Sequence, residues 1–505
     1  MSPTRMSGGL LIRWQICLRI GIDHKLSLGA TSFMATDASQ TRVLVVGAGL
    51  SGSLLACLLG QRGFHVSVFE RRPDPRVVGP VGGRSINLAL SCRGITALKS
   101  AGLDRRVLAD AIPMPGRMLH SPAGELVFQP YSKNHEDAIH SVSRGKLNVT
   151  LLDAAEACRF VHLRFSSRCV DVDVNRPAAL FRDEETGEES WFEGDVLIGA
   201  DGAFSAVRSR MQRRDRFNYS QHYLEHGYKE LSIPPATDCG IDPDRYGGFA
   251  MDPNALHIWP RGRFMMIALP NADRSFTCTL FWPFEGPNSF EALAGETGAS
   301  AFFNEYFPDA YPILRNLEDE YSTNPIGSLV TIRCEPWHVD GVVCLLGDAA
   351  HAIVPFYGQG INCGFEDCRI FADMLDANGN DIRRVISEFT SLRKADCDTI
   401  ADLALDNFIE MRDRVADESF LLRKRIEHVL HAIDPDRYVP LYNLVSFTNI
   451  PYTQALQQGS SVVDLAESIV KYSTDRIGLD AASELSDEQL ADAVRHALQQ
   501  MGASP

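Results

Sequence analysis

Three clusters of glycine and acid, far apart in the 505-residue chain, hold the residues whose types and spacing can do chemistry. The first is Gly47-Ala-Gly49-Leu-Ser51-Gly52. Gly47 permits a tight turn, Gly49 lets a pyrophosphate approach the backbone, and Gly52 lets a helix pack closely on a strand. A helix starting there offers free N–H groups and the positive end of its dipole to phosphates. Glu70 follows at the spacing of a carboxylate that accepts from an adenosine ribose hydroxyl. The expectation is a bound dinucleotide. This motif alone does not separate FAD from NAD.

The second cluster is Leu197-Ile-Gly-Ala-Asp201-Gly202-Ala-Phe-Ser205-Ala206. The third is Leu345-Leu-Gly347-Asp348-Ala-Ala-His351, followed by Pro355-Phe356-Tyr357-Gly358-Gln-Gly360-Ile361-Asn362. Each reads as a buried strand running into a Gly/Asp turn. Asp348 stands where a carboxylate can hold a ribityl hydroxyl. Gly360, Ile361 and Asn362 open a helix whose N–H groups can stabilise negative charge on the N1–O2 edge of a reduced isoalloxazine. His351 reads as structural rather than as a base.

These turns need elements to hold them. Arg42 to Val46 is a β-branched run, Leu50 to Arg62 has helical spacing, and His65 to Glu70 is a second strand, which together make a βαβ unit. Asp195 to Ala200 and Val342 to Leu346 predict two further buried strands. Between them, Leu256 to Trp259, Phe264 to Leu269 and Ser275 to Trp282 predict successive antiparallel strands. After Gly358 the chain reads as mostly helical. The Ser486 to Gln500 segment has a capping box, Ser486 with Gln489. The expected fold class is α/β plus α+β: a Rossmann-like FAD-binding domain, an interleaved antiparallel-sheet substrate domain and a helical C-terminal region. The expected segments are 1–40 as a leader, 41–216 and 332–395 as the FAD-binding domain, 217–331 as the substrate domain, and 396–505 as helices capping the substrate site.

Composition narrows the function classes. The chain is 45% hydrophobic and 23% charged, ordinary for a globular protein, and its net charge of -16 argues against nucleic acid as a partner. The twelve cysteines include no C-x-x-C pair, so no zinc site is expected and the thiols should be reduced. No run of about 18 apolar residues predicts a membrane span, and the expected setting is cytoplasmic. Arg5, Arg13, Arg19 and Lys25 make the first forty residues basic. They read as a disordered extension or an upstream start, with a transit peptide as the alternative.

The order G-x-G-x-x-G, D-G, G-D resembles the single-component FAD-dependent aromatic monooxygenases, the p-hydroxybenzoate-hydroxylase-like family, over roughly Thr41 to Arg393. Further stretches include Gly83-Arg-Ser-Ile-Asn-Leu-Ala-Leu-Ser91, Gly116-Arg117-Met118, Gln129-Pro-Tyr131, His226-Gly-Tyr-Lys-Glu-Leu231, Leu256-His-Ile-Trp-Pro260, Ser275-Phe-Thr-Cys-Thr-Leu-Phe281 and Asn407-Phe-Ile-Glu-Met411. They are similar to one branch of that family and extend the resemblance to about Ala455. What that branch implies is FAD as cofactor, NADPH as a co-substrate without a Rossmann domain of its own, and O2. The implied reaction hydroxylates L-kynurenine to 3-hydroxy-L-kynurenine through a flavin hydroperoxide, in tryptophan degradation or NAD biosynthesis, by a monomer or homodimer. No protein acid or base is required by it.

The resemblance also implies site residues. Arg117, Tyr131, Asn407 and Tyr442 would hold the substrate carboxylate, a task suited to a planar guanidinium and neutral donors. Leu269, Phe281, Pro355, Phe356 and Met411 would line the ring end, with Tyr357 packing beside it. Gly47, Gly49, Ser51, Gly52, Glu70, Arg72, Ala89, Arg144, Asp201, Ala206, Asp348, Gly360, Ile361 and Asn362 would hold FAD. Two readings compete with this one. Another reaction on the same scaffold is one, although a halogenase would carry W-x-W-x-I-P where this chain has His257-Ile-Trp259-Pro260. A non-catalytic binding protein of this fold is the other.

Overall fold

The computed structural model describes residues 38–79, 87–132, 136–293, 298–410 and 418–501. The proposed leader, as far as residue 37, lies outside the described residues, as do Met411 and the start of the Gly83–Ser91 stretch.

Strand Arg42–Val46 is buried at every position after Arg42. A strand apolar on both faces belongs inside a parallel sheet. It pairs in parallel with His65–Phe69 on one side and Val196–Gly199 on the other. The six-stranded sheet runs His338–Val339, Val343–Leu345, Val196–Gly199, Arg42–Val46, His65–Phe69, Val161–Arg164, and His338–Val339 is its antiparallel edge. In this register Val46 lies opposite Gly199, and Gly199 opposite Leu345. The glycine turn and the two Gly/Asp turns, some 300 residues apart at the extremes, thus leave the same carboxyl edge of three adjacent strands. That edge is where open α/β sheets bind ligands.

The second sheet has seven strands, in the order Gly327–Glu335, Asn218–Ile233, Phe276–Pro283, Met265–Pro270, Leu256–Pro260, Gly116–His120, Leu126–Pro130. The three predicted strands of the middle region are there. The sheet also takes strands from outside residues 217–331, and Leu256–Pro260 pairs with Gly116–His120 in parallel, so it is mixed. The last strand of this sheet delivers Tyr131, and the one beside it carries Arg117. Behind the sheet, Trp259, Phe264, Trp282, Phe302, Phe303 and Phe307 form an aromatic core. A small sheet of Asn87–Leu90, Ile139–Ser143 and Ile112–Met114 places Ala89 and leads into the helix that begins at Arg144.

Helices follow: Gly360–Ala377, Ile382–Ile409, Glu418–Ile433, Leu441–Phe447, Tyr452–Ile477 and Asp487–Gln500. The last carries the predicted capping box and buries Leu490, Val494 and Leu498. No described helix is long and apolar enough to cross a membrane. The buried Arg93 fastens this helical region together and to the half built on the six-stranded sheet. Its guanidinium pairs with Glu366 at 2.7 Å, donates to the Val445 and Ile450 carbonyls at 2.9 and 2.7 Å, and lies 3.8 Å from the Tyr452 ring centroid.

Candidate active site

The glycines of the first turn divide by what a side chain would meet. At Gly47, with φ +101°, a Cβ would sit 2.6 Å from the Ala200 carbonyl oxygen, and at Gly52 it would sit 2.0 Å from that of Gly47. At Gly49 it would meet nothing within 4 Å. Two glycines therefore serve backbone packing, and the third faces open space where a phosphate can lie. Glu70 is aimed at the turn: its carboxylate accepts from Ala48 N and Arg72 N, each at 3.0 Å. A carboxylate oxygen accepts more than one hydrogen bond, so Glu70 is fixed yet open to a ribose. The Arg72 side chain is exposed beside it.

Asp201 caps the Ala206–Met211 helix by accepting from Ala206 N at 2.7 Å. The N–H of Ala206 is thereby committed to Asp201. The other Asp201 oxygen is buried without a hydrogen-bond partner, as a group awaiting a ligand would be. Burial pushes the carboxyls of both Asp201 and Asp348 above the usual range. Asp348 feels the opposing charges of His351 and Arg144, and Arg144 also acts on Tyr228 and Glu230, which the sequence did not single out. Ser51 sits between Gly347 and Gly364, so close that a Cβ on Gly364 would be 2.6 Å from its hydroxyl.

At the opening of the Gly360–Ala377 helix, the Asn362 side chain is fully engaged. It accepts from Ser91 N at 2.8 Å and donates to the Ala89 and Gly358 carbonyls at 2.9 and 2.8 Å. Its backbone N–H, with those of Gly360 and Ile361, is among the first of the helix, which have no acceptor within the helix. The open space at Gly49, the unpartnered Asp201 oxygen and this helix start together fit a flavin dinucleotide.

Arg117, Tyr131 and Tyr442 come together from two strands' ends and a helix some 325 residues away. The Arg117 guanidinium carbon lies 4.3 Å from the Tyr442 ring centroid and 5.6 Å from that of Tyr131. The two phenol rings stack at 5.1 Å, and Tyr357 stacks on Tyr442 at 5.4 Å. Burial works against the charge on Arg117, but the phenols outweigh it and its pKa is raised. Arg117 Nε and Tyr131 Oη are buried without hydrogen-bond partners. A buried donor left unmet costs about 1–3 kcal/mol, so this trio could take up a further hydrogen-bonding, anionic group.

The other expected residues sit around this trio. Leu269 packs in one cluster with Tyr131 and Tyr442. Phe281 lies 4.9 Å from Phe356 on the Pro355–Tyr357 turn. Asn407 donates to the Phe356 carbonyl at 2.7 Å, so its amide holds that turn in place. Two neighbours went unseen in the sequence. Phe447 tilts against Tyr131 at 5.4 Å, and the buried Asn443 donates to the Tyr131 carbonyl at 2.8 Å. Both are on the Tyr442 helix, and no local spacing says that this helix returns to residue 131.

From the end of the Arg117 strand a largely buried polar chain crosses to its neighbour: Asp309 to His120 at 2.6 Å, His120 to His257 at 2.8 Å, His257 to the Asp252 carbonyl at 2.8 Å. Burial pushes His257 down to about 3, against the pull of the Asp252 carbonyl and with the push of His120. The folded protein keeps His257 neutral, whereas the unfolded chain titrates it near 6.5. Below that pH the unfolded state binds a proton the folded state refuses, so stability falls as pH drops toward about 3, by about 1.4 kcal/mol per unit. Urea unfolding at pH 7 and pH 5 checks this. A His257→Asn variant should lose about 2 kcal/mol less than the parent over that interval, and equal losses would assign the acid sensitivity elsewhere.

Comparisons with known proteins agree with this geometry. A family model described as an FAD binding domain matches residues 40–227 and 320–380, the two segments that contribute the flavin turns. Among solved structures, 2-methyl-3-hydroxypyridine-5-carboxylic acid oxygenase aligns at a TM-score of 0.61 with 19% identity, covering 74% of this chain and 93% of its own. PqsL of Pseudomonas aeruginosa, in complex with 2-aminobenzoylacetate, aligns at 0.59 with 20% identity, covering 74% and 97%. At such identities these alignments speak to fold: that of an FAD-binding monooxygenase. Closer relatives narrow the class. Kynurenine 3-monooxygenase of Myxococcus xanthus is 46% identical over 463 residues, 92% of this chain and 97% of that protein. That of Dictyostelium discoideum is 43% identical, covering 89% and 98%. The chain belongs to the kynurenine 3-monooxygenase family.

Proposed function

We propose that the protein hydroxylates L-kynurenine to 3-hydroxy-L-kynurenine, with FAD as cofactor, NADPH as electron donor and O2 as oxidant. The observation that carries the substrate is the buried Arg117–Tyr131–Tyr442 trio with its unmet donors. An amino-acid carboxylate satisfies a guanidinium fork and a phenol together. The aromatic end of the substrate would then lie toward Leu269, Phe281, Pro355 and Phe356.

FAD would be held by the turn at Gly47, Gly49, Ser51 and Gly52, by Glu70 and Arg72, by Ala89 and Arg144, and by Asp201, Ala206, Asp348, Gly360, Ile361 and Asn362. Bound there, it supplies reduction by NADPH and activation of oxygen. The protein's own contribution is positioning and the exclusion of water. The Asn407 contact keeps Phe356 against the ring space, and the stacked Tyr131, Tyr442 and Tyr357 close its carboxylate end.

NADPH oxidation, measured with and without L-kynurenine and with product mass determined, tests the reading. Strong stimulation and a product heavier by one oxygen atom are expected. Stimulation by phenols but not by L-kynurenine would return the protein to the wider aromatic hydroxylases. Asn443→Ala should loosen the tie between the Tyr442 helix and Tyr131 by about 1 kcal/mol, the worth of one buried hydrogen bond, and so raise KM several-fold with FAD content retained. An unchanged KM would mean the tie does not govern the carboxylate site. The setting proposed is cytoplasmic, and recovery of the activity in a membrane pellet would overturn that part.

A further inference from the structure

The absence of a C-x-x-C pair argued against a metal site, yet the fold gathers one from distant positions. His351 lies on the turn that carries Asp348, Cys363 and Asp367 on the Gly360–Ala377 helix, and Cys397 on the Ile382–Ile409 helix. All four side chains are buried, and one ligand atom from each lies within 4.8 Å of the others. The two sulfurs are 3.6 Å apart. Zinc–thiolate bonds of about 2.3 Å at a tetrahedral angle would put them about 3.8 Å apart. His351 Nδ1 is 4.0 Å from Cys363 Sγ, against about 3.6 Å for a zinc-bound pair. Its other ring nitrogen, Nε2, is 2.5 Å from Asp367 Oδ2. A carboxylate on the far nitrogen is how metal-binding histidines are usually oriented.

We propose that Cys363, Cys397 and His351 Nδ1 bind one zinc ion, with Asp367 orienting His351 from its far nitrogen. On binding, the two thiols release their protons to solvent and two Zn–S bonds form, so Zn2+ replaces two H+ and the buried charge is unchanged. That neutrality matters, because the pocket already holds Arg393, whose Nε donates to Asp367 Oδ1 at 2.9 Å and whose Nη2 lies 3.8 Å from Cys363 Sγ. Arg393 offsets the Asp367 charge, and the thiolates offset the metal. The chemistry selects a soft, redox-inert cation: two sulfurs and an imidazole favour zinc over magnesium or calcium. The role is structural. The ion would join three segments beneath the proposed flavin ring, and Asp367 Oδ2 already accepts from Gly347 N at 3.2 Å, next to Asp348. The proposal does not depend on which aromatic substrate is hydroxylated.

The FAD-loaded enzyme, incubated with zinc chloride and desalted, should retain one zinc per chain by plasma mass spectrometry. Cys363→Ser and Cys397→Ser should each lose it while holding FAD. Cobalt in place of zinc should give ligand-field bands to the red of the flavin absorption in the unmodified enzyme, a readout that survives even if the variants fail to fold. Zinc-loaded enzyme should also melt above chelator-treated enzyme. No retained zinc and no cobalt bands would overturn the site. So would serine variants that retain as much zinc as the unmodified enzyme, or a Cys363–Cys397 disulfide in peptides from the enzyme as isolated.

Discussion

Replacing Arg117 with methionine should lower kcat/KM for L-kynurenine by two to three orders of magnitude, about 3–4 kcal/mol, while leaving FAD content unchanged. A charge-assisted hydrogen bond is worth about 1.5–3 kcal/mol, and the stranded partner adds about 1–3 kcal/mol because the substrate carboxylate would enter a buried space without its cation. The Tyr131 hydroxyl, already buried and unpartnered, cannot replace a guanidinium. Arg117 belongs to the seven-stranded sheet and not to the Gly/Asp turns, so the flavin should be indifferent to the change. Arg117→Lys is the informative companion. It keeps the charge but loses the planar fork, and should recover only part of the loss. Steady-state kinetics with L-kynurenine, alongside the flavin-to-protein absorbance ratio, check both. Normal turnover by the methionine variant would remove Arg117 from the substrate site.

The second large effect is expected at Gly52. A Cβ there would be 2.0 Å from the Gly47 carbonyl oxygen and 3.3 Å from the Ala200 Cβ. The first of these neighbours is backbone, with no flexible end to swing aside, so Gly52→Ala must push the helix off the turn that would hold the pyrophosphate. The protein should be isolated without flavin, and so without NADPH oxidation. Gly49→Ala separates packing from ligand contact. Its Cβ meets no protein atom within 4 Å, so the fold should persist while FAD affinity falls, because the added methyl occupies the space meant for phosphate. Thermal unfolding and flavin titration distinguish the two. A yellow Gly52→Ala enzyme with full flavin content would show that this turn is not where the cofactor lies.

Much of the flavin half was legible because its signals are local. The strand Arg42–Val46, the glycine turn, the Leu50–Gln61 helix and Glu70 are consecutive, and each constrains the next through backbone geometry. The three middle strands 256–260, 265–270 and 276–283 were legible for the same reason, since alternation and turns are short-range. What local pattern cannot express is partnership. The pairing of Gly116–His120 with Leu256–Pro260 joins strands about 140 residues apart, and it is this pairing that brings Arg117 into the seven-stranded sheet. Asn362 was expected at the flavin by position, and only the fold shows that its side chain also bonds Ser91, Ala89 and Gly358. Asn407 was expected at the carboxylate, and what the fold adds is that its amide also donates to the Phe356 carbonyl.

The sequence by itself marked a glycine turn of the dinucleotide type, Glu70 at the spacing of a ribose-binding acid, and two later Gly/Asp turns, because each is written within a few residues of backbone. Resemblance extended this to an aromatic monooxygenase. Only the tertiary structure decided that those turns share one sheet edge, that Arg117 and Tyr131 meet Tyr442 with donors unmet, and that Cys363, Cys397 and His351 converge beneath the flavin turn. The physical reason is common to all three. Desolvation and unmet hydrogen bonds are properties of a buried neighbourhood, and a neighbourhood assembled from strands and helices hundreds of residues apart has no signature in any one stretch of chain.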